Sequence, residues 1–303
     1  MLIGVLGDST LDVTVGPPGP MSAGDARAQI SLGPGGQGAN VAVRLARAGV
    51  PVRLITPLAD DPAGHVLRAN LEGQSVDLVS LPASRTSMVV VLLDPAGERT
   101  MLSDRVPASG DVATAIRGCD WVHVSGYLLR DPEEAHAVVS ALRSAGIEQI
   151  SIAGGSFQAR ADAGIARDAA AAMGAKLLIV NREEAGLLAG EPMSAADEAA
   201  SLLATGERLA VVTDGTRGSA AAGLAKTRAV LQGASAAGRP SVDATGAGDA
   251  FTASLLASLA PQWPPAADLV ATALERAALA GAAATTAVGA QSPTARDAPD
   301  AGA

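Results

Sequence analysis

Cysteine and histidine are both scarce in this sequence. A single cysteine, Cys119, among 303 residues excludes a disulfide framework and a CxxC zinc site. The three histidines, His65, His123 and His136, include no pair with the spacing of a metal-binding motif. A fold held together by disulfides and a zinc centre of these types are therefore both excluded.

Positive charge is in deficit, because 22 lysines and arginines stand against 31 aspartates and glutamates. The formal net charge is −9 and the isoelectric point is near 4.8. Nucleic-acid phosphates and anionic membrane surfaces both need a basic protein face. We therefore expect neither a nucleic-acid nor a membrane partner.

Long apolar runs are missing as well. The N-terminus has no basic segment and reaches Asp8 before the apolar part of a signal peptide could form. A membrane span needs about 18 apolar residues, and the nearest candidate, an Ala-rich C-terminal segment, is interrupted by Glu275 and Arg276. We expect a soluble, cytoplasmic protein.

The sequence does contain a recurring helix–glycine–strand pattern. An Ala/Leu-rich amphipathic stretch is followed by a glycine that would close a helix in the left-handed conformation, and then by a short run of Ile, Leu and Val. The predicted helix ends lie near Gly49, Gly146, Gly174 and Gly206. Because the apolar runs are nearly continuous, they predict strands buried on both faces. The pattern therefore predicts an α/β fold with a mostly parallel sheet covered by helices on both sides.

Two segments depart from this pattern. Residues 12–34 carry Pro, Gly and β-type residues without a clear helix, and residues 84–105 predict a hairpin around Pro95, Ala96 and Gly97. The two segments could pair into a small second sheet, either as an edge extension or as a lid over a pocket. Residues 294–303 are polar and rich in Pro and Ala, which predicts a disordered tail.

The first glycine-rich motif covers residues 33–49. Gly33, Gly35 and Gly38 satisfy G-x-G-x-x-G, but the motif does not lie between the first strand and the first helix, where a dinucleotide fingerprint belongs. A glycine-dense turn that enters a helix allows backbone N–H groups to approach a ligand, with Asn40 as a further donor. A tight loop without a ligand is the alternative.

The second glycine-rich motif covers residues 242–259. Gly246, Ala247 and Gly248 begin an amphipathic helix and would expose N–H groups at the positive end of its dipole, which favours an anion. Asp249 could be a plain N-cap, but that explanation leaves both glycines and the second acid, Asp243, without a reason. We favour a site for phosphoryl transfer in which Asp249 takes the proton of the attacking hydroxyl.

Known kinase signatures of two other types are absent, because the chain contains no G-x-x-x-x-G-K-[ST], no H-R-D and no D-F-G sequence. The motifs GGQGANVAVRLARAG and DATGAGDAFTASLL, about 200 residues apart with βα repeats between them, instead resemble the two signatures of the ribokinase/PfkB carbohydrate kinases. The resemblance covers about residues 1–293. It implies a ribokinase-like three-layer α/β/α fold with a small β lid.

The resemblance also implies an activity. A kinase of this family would transfer the γ-phosphoryl group of ATP to a hydroxyl, commonly a primary one, of a sugar or sugar-like molecule. ATP would be the co-substrate, Mg²⁺ the divalent cofactor and K⁺ a common activator. A homodimer formed through the lid is a further expectation.

The resemblance assigns residues to four parts of the active site. The catalytic set is Asp249 as the base and Gly246, Ala247 and Gly248 as the anion hole. The sugar-binding set is Asp12, Gly35, Gly36, Gln37, Asn40 and Arg105. The nucleotide-binding set is Asn181, Thr213, Asp214, Gly215, Gly218 and Gly248. The metal set is Asn181 and Glu184 for Mg²⁺ through water, and Asp243, Thr245, Ala284, Ala287 and Gly289 for K⁺.

Two of these assignments have plain structural alternatives. Without the resemblance, Asn181 and Glu184 would be the N-cap and the capping-box partner of one helix. Arg105 lies where some kinases of keto-deoxy sugar acids hold a carboxylate, but it could equally be a solvated loop charge.

Departures from the family pattern concern the sugar. Gln37 replaces a lysine that is common in ribokinases, and Gly126 and Tyr127 stand where those enzymes place a ribose-binding glutamate. Both changes argue against ribose. A nucleoside kinase of the same fold is an alternative, although only Tyr127 and Phe157 could stack on a base. A ligand-binding protein without turnover is a second alternative, against which the intact Asp249 motif argues.

Overall fold

A computed structural model of the protein describes residues 1–16, 27–94, 99–189, 208–224, 227–232 and 241–292, with only the backbone described at residues 99 and 227–232. The strands in these ranges are β1 (Ile3–Leu6), β2 (Thr10–Val15), β3 (Ile30–Gly35), β4 (Val52–Pro57), β5 (Asp77–Leu81), β6 (Met88–Leu93), β7 (Arg99–Asp104), β8 (Trp121–Val124), β9 (Ile150–Ala153), β10 (Leu177–Asn181), β11 (Leu209–Thr213), β12 (Gly218–Gly223) and β13 (Thr227–Gln232). The α-helices are α1 (Gln37–Arg47), α2 (Pro62–Glu72), α3 (Val112–Ala115), α4 (Pro132–Ser144), α5 (Arg160–Met173), α6 (Arg182–Ala189), α7 (Ala247–Leu259) and α8 (Ala267–Ala284).

The larger sheet has nine strands in the order β13-β12-β11-β10-β9-β8-β1-β4-β5. Neighbours from β11 to β5 run parallel, whereas β12 and β13 extend one edge in antiparallel fashion. Every residue of β1, β8 and β9 is buried, which explains why these strands are short and nearly continuous in apolar residues. The mostly parallel sheet predicted from the sequence is confirmed.

Helices cover the sheet on both faces. Buried residues of α1, α2, α7 and α8 form one apolar cluster against the sheet, and those of α3, α4, α5 and α6 form a second cluster on the opposite face. Gly49, Gly146 and Gly174 end α1, α4 and α5 with φ between 65° and 75°, as predicted. Gly206 lies outside the described residues. The architecture is the expected three-layer α/β/α fold.

The smaller sheet has the order β3-β2-β6-β7. The predicted hairpin is confirmed as the antiparallel pair β6–β7, and β2 joins it to β3. Val89 and Val91 are buried on one face of this sheet, while Leu32 and Leu102 are exposed on the other. The turn at Pro95–Gly97, most of the segment between β2 and β3 and the predicted tail at 294–303 lie outside the described residues.

The topology of the larger sheet predicts a crevice beyond the carboxyl ends of its central strands. β4 lies on one side of β1 and β8 on the other, so the connections run in opposite directions from β1. In open α/β sheets, ligands bind outside the carboxyl ends of the strands at such a switch point. Among the described helices, none is long and apolar enough to cross a membrane.

Candidate active site

The turn between β3 and α1 packs directly on the segment that follows β1. Gly36 has a φ of 93°, and a Cβ atom on it would lie 2.6 Å from the carbonyl oxygen of Asp8. A Cβ atom on Gly38 would lie 2.7 Å from the Cα atom of Gly7. Both glycines are needed for this close approach of two backbones, so the tight-loop explanation holds for them.

Gln37, the first residue of α1, uses its side-chain amide within the protein. Its Oε1 accepts hydrogen bonds from the hydroxyl of Ser125 at 2.7 Å and from the N–H of Gly126 at 3.2 Å. Its Nε2 donates to the carbonyl oxygen of Gly154 at 2.8 Å. Because Ser125 follows β8 and Gly154 follows β9, Gln37 ties the start of α1 to the carboxyl ends of two central strands.

Position 126 is closed to any side chain. A Cβ atom on Gly126 would lie 2.3 Å from the carbonyl oxygen of Ala153 and 2.6 Å from the backbone nitrogen of Gly155. A glutamate, as ribokinases have in this region, could not occupy the position without a backbone shift. The following residue, Tyr127, donates or accepts a hydrogen bond with Ser156 at 2.7 Å.

Arg105 is held in place by two contacts. It forms an ion pair with the buried Asp8, and its guanidinium carbon lies 3.7 Å from the ring centroid of Tyr127. A cation over an aromatic face is attracted by the ring quadrupole. Since only 22% of its side chain is exposed, Arg105 is not a solvated loop charge.

Asp12, on β2, is a half-buried carboxylate that packs against the backbone of Gly35. A Cβ atom on Gly35 would lie 2.1 Å from Oδ2 of Asp12, so this glycine leaves room for the carboxylate. Oδ1 accepts a hydrogen bond from the hydroxyl of Thr10 at 2.6 Å. Burial raises the pKa of Asp12 to about 6, against the lowering effect of the Thr10 bond.

Asp249 is the third residue of α7, not its N-cap. The N-cap is Gly246, which has no side chain and so makes no side-chain capping hydrogen bond. Oδ2 of Asp249 instead accepts a hydrogen bond from Nδ2 of Asn40 at 2.7 Å. Burial raises the pKa of Asp249 to about 6, with Asn40, Arg44 and Arg105 acting in the opposite direction.

The two glycines before Asp249 have different environments. Gly246 has a φ of 76°, and a Cβ atom on it would lie 2.7 Å from Cβ of Ala290, so packing and conformation both require glycine there. A Cβ atom on Gly248 would meet no described atom within 4 Å. Packing therefore explains the glycine at position 246 but not the one at position 248. Gly248 is exposed in the first turn of α7, where backbone N–H groups lack intrahelical partners.

Asn181 and Glu184 form a reciprocal capping box at the start of α6. The N–H of Glu184 donates to Oδ1 of Asn181 at 2.9 Å, and the N–H of Asn181 donates to Oε2 of Glu184 at 3.0 Å. Oε1 of Glu184 also accepts from the N–H of Ser156 at 2.7 Å. Burial is the main cause that raises the pKa of Glu184 above its usual range.

A cleft of about 590 Å³ lies beside this capping box, at the ends of β10 and β11. Its lining residues are Asn181, Arg182, Glu183, Gly186, Leu187, Thr213, Asp214, Gly215 and Arg217. Asp214 accepts hydrogen bonds from Arg217 at 2.6 and 2.8 Å and from Arg182 at 2.9 Å. These bonds, of which those from Arg217 have the larger effect, lower the pKa of Asp214 to about 2. The predicted residue Gly218 closes the turn by accepting from the N–H of Asp214 at 2.8 Å.

Asp243 joins the segment before α7 to the segment after α8. Its Oδ1 accepts from the N–H of Thr245 at 2.8 Å and from the Thr245 hydroxyl at 2.5 Å, and its Oδ2 accepts from the N–H of Gly289 at 2.8 Å. Three residues of the predicted K⁺ set are thus brought together. Ala284 is the last residue of α8, and Ala287 lies in the turn that follows it.

Several residues of this site were not predicted from the sequence. Asp8 could have been suggested by its spacing of four residues from Asp12 after the first strand, and Arg182 by its position next to Asn181. Gln291 carries no local signal, because its partner Asn40 is 251 positions away.

Comparison with known proteins agrees with this geometry. A fructokinase from Klebsiella pneumoniae is 33% identical over 315 aligned positions, which cover 95% of this chain and 94% of that protein. The structure of a fructokinase from Vibrio cholerae O395 with bound fructose, ADP and calcium ion has a TM-score of 0.74 at 26% identity, covering 96% of this chain and 94% of that one. The structure of Arabidopsis thaliana ribokinase with ribose and ATP has a TM-score of 0.76 at 22% identity, covering 98% and 95%.

The match to a protein family spans nearly the whole chain. Residues 5–297 match the family model described as pfkB family carbohydrate kinase. The protein is a phosphotransferase with an alcohol acceptor, and it phosphorylates a small sugar with ATP as the co-substrate. This chain belongs to the pfkB family of carbohydrate kinases.

Proposed function

We propose that the protein transfers the γ-phosphoryl group of ATP to a primary hydroxyl of a ketohexose of the fructose type, with Asp249 as the general base. The observation that carries the proposal is the pairing of Asp249 with Gly248 in the first turn of α7. A half-buried carboxylate of raised pKa lies there beside a glycine that packing does not require. The fructokinase relatives support a ketohexose as the acceptor.

Asp249 and the start of α7 divide the reaction between them. Asp249 takes the proton of the sugar hydroxyl as its oxygen forms a bond to the γ-phosphorus. The bond from that phosphorus to the bridging oxygen breaks, and ADP leaves with the electron pair. We assign the N–H groups of Gly246 and Gly248, at the positive end of the helix dipole, to the charge of the transferring group, whereas the N–H of Ala247 donates to the carbonyl oxygen of Ala244 at 3.3 Å.

The sugar is assigned to the crevice between β1 and β8. Asp12 supplies an acceptor for hydroxyl groups, and Asn40 supplies the amide N–H that does not face Asp249; Gly35 makes room for the Asp12 carboxylate. Arg105 supplies a positive charge for sugar oxygens at the opposite side of the crevice. The closed position of Gly126 supports an acceptor other than ribose, because no glutamate fits there.

The nucleotide is assigned to the cleft lined by Thr213, Asp214 and Gly215. Arg182 and Arg217 place two guanidinium groups in this cleft, and guanidinium groups bind phosphate well. Asp214 would hold both in position. A nucleoside acceptor is disfavoured, because Arg105 already covers the ring of Tyr127 and Phe157 is buried.

Magnesium would reach Glu184 only through water. Both oxygens of Glu184 already accept backbone N–H groups, and Oδ1 of Asn181 accepts the N–H of Glu184. We therefore assign contact with Mg²⁺ through water at these two residues, and the described residues contain no group of three or more acidic, histidine or cysteine side chains that could hold a metal. The role that we assign to the capping box is to shape the phosphate end of the cleft.

Potassium fits the segment that follows α8. Asp243 and the backbone carbonyl groups around residues 284–289 are oxygen donors, the type that alkali cations prefer. A K⁺ ion there would stabilise the contact between this segment and the segment before α7, which Asp243 and Gly289 already make.

A homodimer through the smaller sheet is supported by an apolar outer face. Leu32 pairs with Val13 and Leu102 pairs with Val90, which places these side chains on one face of the sheet. Leu32 and Leu102 are 66% and 56% exposed. Exposed apolar patches of this kind mark interaction sites, and a second copy of the chain would cover them.

The test of this proposal is release of ADP with Mg²⁺ and K⁺ across a panel of ketohexoses, aldopentoses, sugar acids and nucleosides. We expect turnover with fructose at a kcat/KM well above that with ribose or with any nucleoside. Preference for a nucleoside would contradict the proposal and establish the alternative acceptor class.

A further inference from the structure

We propose that Gln291 is a positioning residue for the general base: it fixes the orientation of the Asn40 amide, and thereby the hydrogen bond that Asp249 receives. The inference rests on the proposed function in one respect, which is the role of Asp249. Gln291 lies after α8, far from the two glycine-rich motifs in the sequence.

Three side-chain amides form a chain that ends at the base. Nδ2 of Asn70, on α2, donates to Oε1 of Gln291 at 2.8 Å. Nε2 of Gln291 donates to Oδ1 of Asn40 at 3.0 Å. Nδ2 of Asn40 then donates to Oδ2 of Asp249 at 2.7 Å. Each amide therefore donates a hydrogen bond to the next residue, in one direction from Asn70 to Asp249.

The polarity of the chain follows from its last member. An ionised carboxylate only accepts, so Asn40 must turn its NH₂ group towards Asp249 and its carbonyl oxygen away from it. That oxygen needs a donor, which Gln291 supplies only when its own NH₂ group faces Asn40. A group at position 291 that cannot donate would remove this constraint on the Asn40 amide.

Burial and backbone contacts make Gln291 suitable for this task. Asn40 and Gln291 are 5% and 7% exposed, so water cannot readily replace either partner. The carbonyl oxygens of the residues on both sides of Gln291, Ala290 and Ser292, accept hydrogen bonds from Arg44 at 3.1 and 3.2 Å. The backbone that carries Gln291 is thus held on both sides.

The charged groups that face Asp249 do not replace the Asn40 bond. They are Arg44 on α1, Arg105 after β7 and Asp12 on β2. The Asn40 bond is the strongest of the influences that favour the ionised carboxylate, ahead of the two arginines, and Asp12 acts against it. Loss of the correctly oriented Asn40 donor should therefore raise the pKa of Asp249 and displace the carboxylate.

Two substitutions of similar size separate orientation from packing. Gln291→Met keeps the length of the side chain but removes both hydrogen bonds. Gln291→Glu keeps an acceptor for Asn70 but presents an acceptor to Asn40, which would turn the Asn40 amide around. Gln262→Glu makes the same change in charge at an exposed position and serves as the control.

The direct readout is the titration of the Asp249 carboxyl, followed by ¹³C NMR in the full-length protein and assigned by its absence in Asp249→Asn. We expect the midpoint to rise by about one pH unit in Gln291→Met and by more in Gln291→Glu, while Gln262→Glu keeps the midpoint of the unmodified protein. An unchanged midpoint in folded Gln291→Met would overturn the inference. This readout requires no turnover.

The kinetic readout separates this inference from the proposed function. With fructose and ATP, we expect the acid limb of kcat to shift upwards with the Asp249 midpoint in Gln291→Met. A midpoint moved from about 6 to about 7 should lower kcat at pH 7 about twofold and kcat at pH 6 about fivefold, with the KM for ATP nearly unchanged. If the unmodified protein does not turn over any acceptor, the proposed function fails while the titration still decides the role of Gln291. If the unmodified protein turns over fructose but the acid limb of kcat is unshifted in both Gln291 variants, the positioning role is contradicted while the proposed function stands.

Discussion

Asn40 on α1 donates its side-chain amide to Asp249 on α7 at 2.7 Å, although the two residues are 209 positions apart. This bond joins the two glycine-rich motifs, because Asn40 lies in the first and Asp249 lies in the second. The group that would receive the sugar proton is thereby positioned by the helix that borders the sugar crevice. Helix α1 would therefore contribute both to sugar binding and to the position of the base.

The pH dependence of the reaction should reflect the raised pKa of Asp249. We expect kcat/KM to fall below about pH 6, by up to tenfold per unit, because only the ionised carboxylate can accept the proton. Asp12 has a similarly raised pKa, so the limb is a property of both acids. A pH–rate profile that stays flat to pH 5 in the protein with a measured Asp249 midpoint near 6 would contradict the role of the base.

The same shift in pKa has an opposite effect on stability. The carboxyl of Asp249 binds its proton more tightly in the folded than in the unfolded protein, so its favourable contribution is complete below pH 3.8 and is lost as the pH rises through about 6. Asp249→Asn, which has no such charge, should therefore raise the melting temperature more at pH 8 than at pH 4.5. Thermal unfolding at both pH values measures the difference, and an equal change at both would contradict it.

Gly246 and Gly248 form a matched pair for substitution by alanine. Gly246→Ala places a methyl group 2.7 Å from Cβ of Ala290 at a φ of 76°, and should lower the free energy of unfolding by about 1–3 kcal/mol. Gly248→Ala meets no described atom within 4 Å and should leave stability nearly unchanged, but should lower kcat by hindering approach of the phosphoryl group. Chemical denaturation and initial rates measure both effects, and full activity in Gly248→Ala would contradict the anion hole.

Glu184 should stabilise the protein without any ligand. Glu184→Gln replaces one carboxylate oxygen by an NH₂ group facing a backbone N–H, which should cost about 1–3 kcal/mol of stability. Glu183→Gln changes an exposed neighbour on the same helix and is the control. Denaturation in the presence of a chelator checks this, and a loss of stability that occurs only with Mg²⁺ and ATP would assign Glu184 to the metal instead.

The dimer should depend on the outer face of the smaller sheet. Leu32→Asp places a charge in the proposed interface, at a position that is exposed in the single chain. It should therefore dissociate the dimer without unfolding the chain. Light scattering after size exclusion gives the mass of both proteins. A monomer of the unmodified protein at micromolar concentration would contradict the dimer.

Local patterns in the sequence were sufficient to predict the fold. The helix ends at Gly49, Gly146 and Gly174 follow from a requirement for positive φ, and the buried strands follow from short apolar runs. The β6–β7 hairpin follows from two β-type runs on either side of Pro95, Ala96 and Gly97. Each of these signals lies within about ten residues of the structure that it specifies.

Contacts within the site could not be predicted in the same way. The pairing of Arg105 with Asp8 and the amide chain through Gln291 join residues from separate segments, and nothing near Gln291 marks it as special. The sequence also left Asn181 and Glu184 open between a capping box and a metal site, and only the hydrogen bonds show that the capping box forms. Residue type alone does not reveal which partner a polar side chain has.

The central claim is that Asp249 accepts the proton of a sugar hydroxyl during phosphoryl transfer from ATP. It is tested most directly by single-turnover formation of sugar phosphate from fructose in the unmodified protein and in Asp249→Asn, with ATP binding measured by calorimetry in both. We predict a loss of turnover of about 10²–10⁴-fold with nearly unchanged ATP affinity. Full turnover in Asp249→Asn would contradict it.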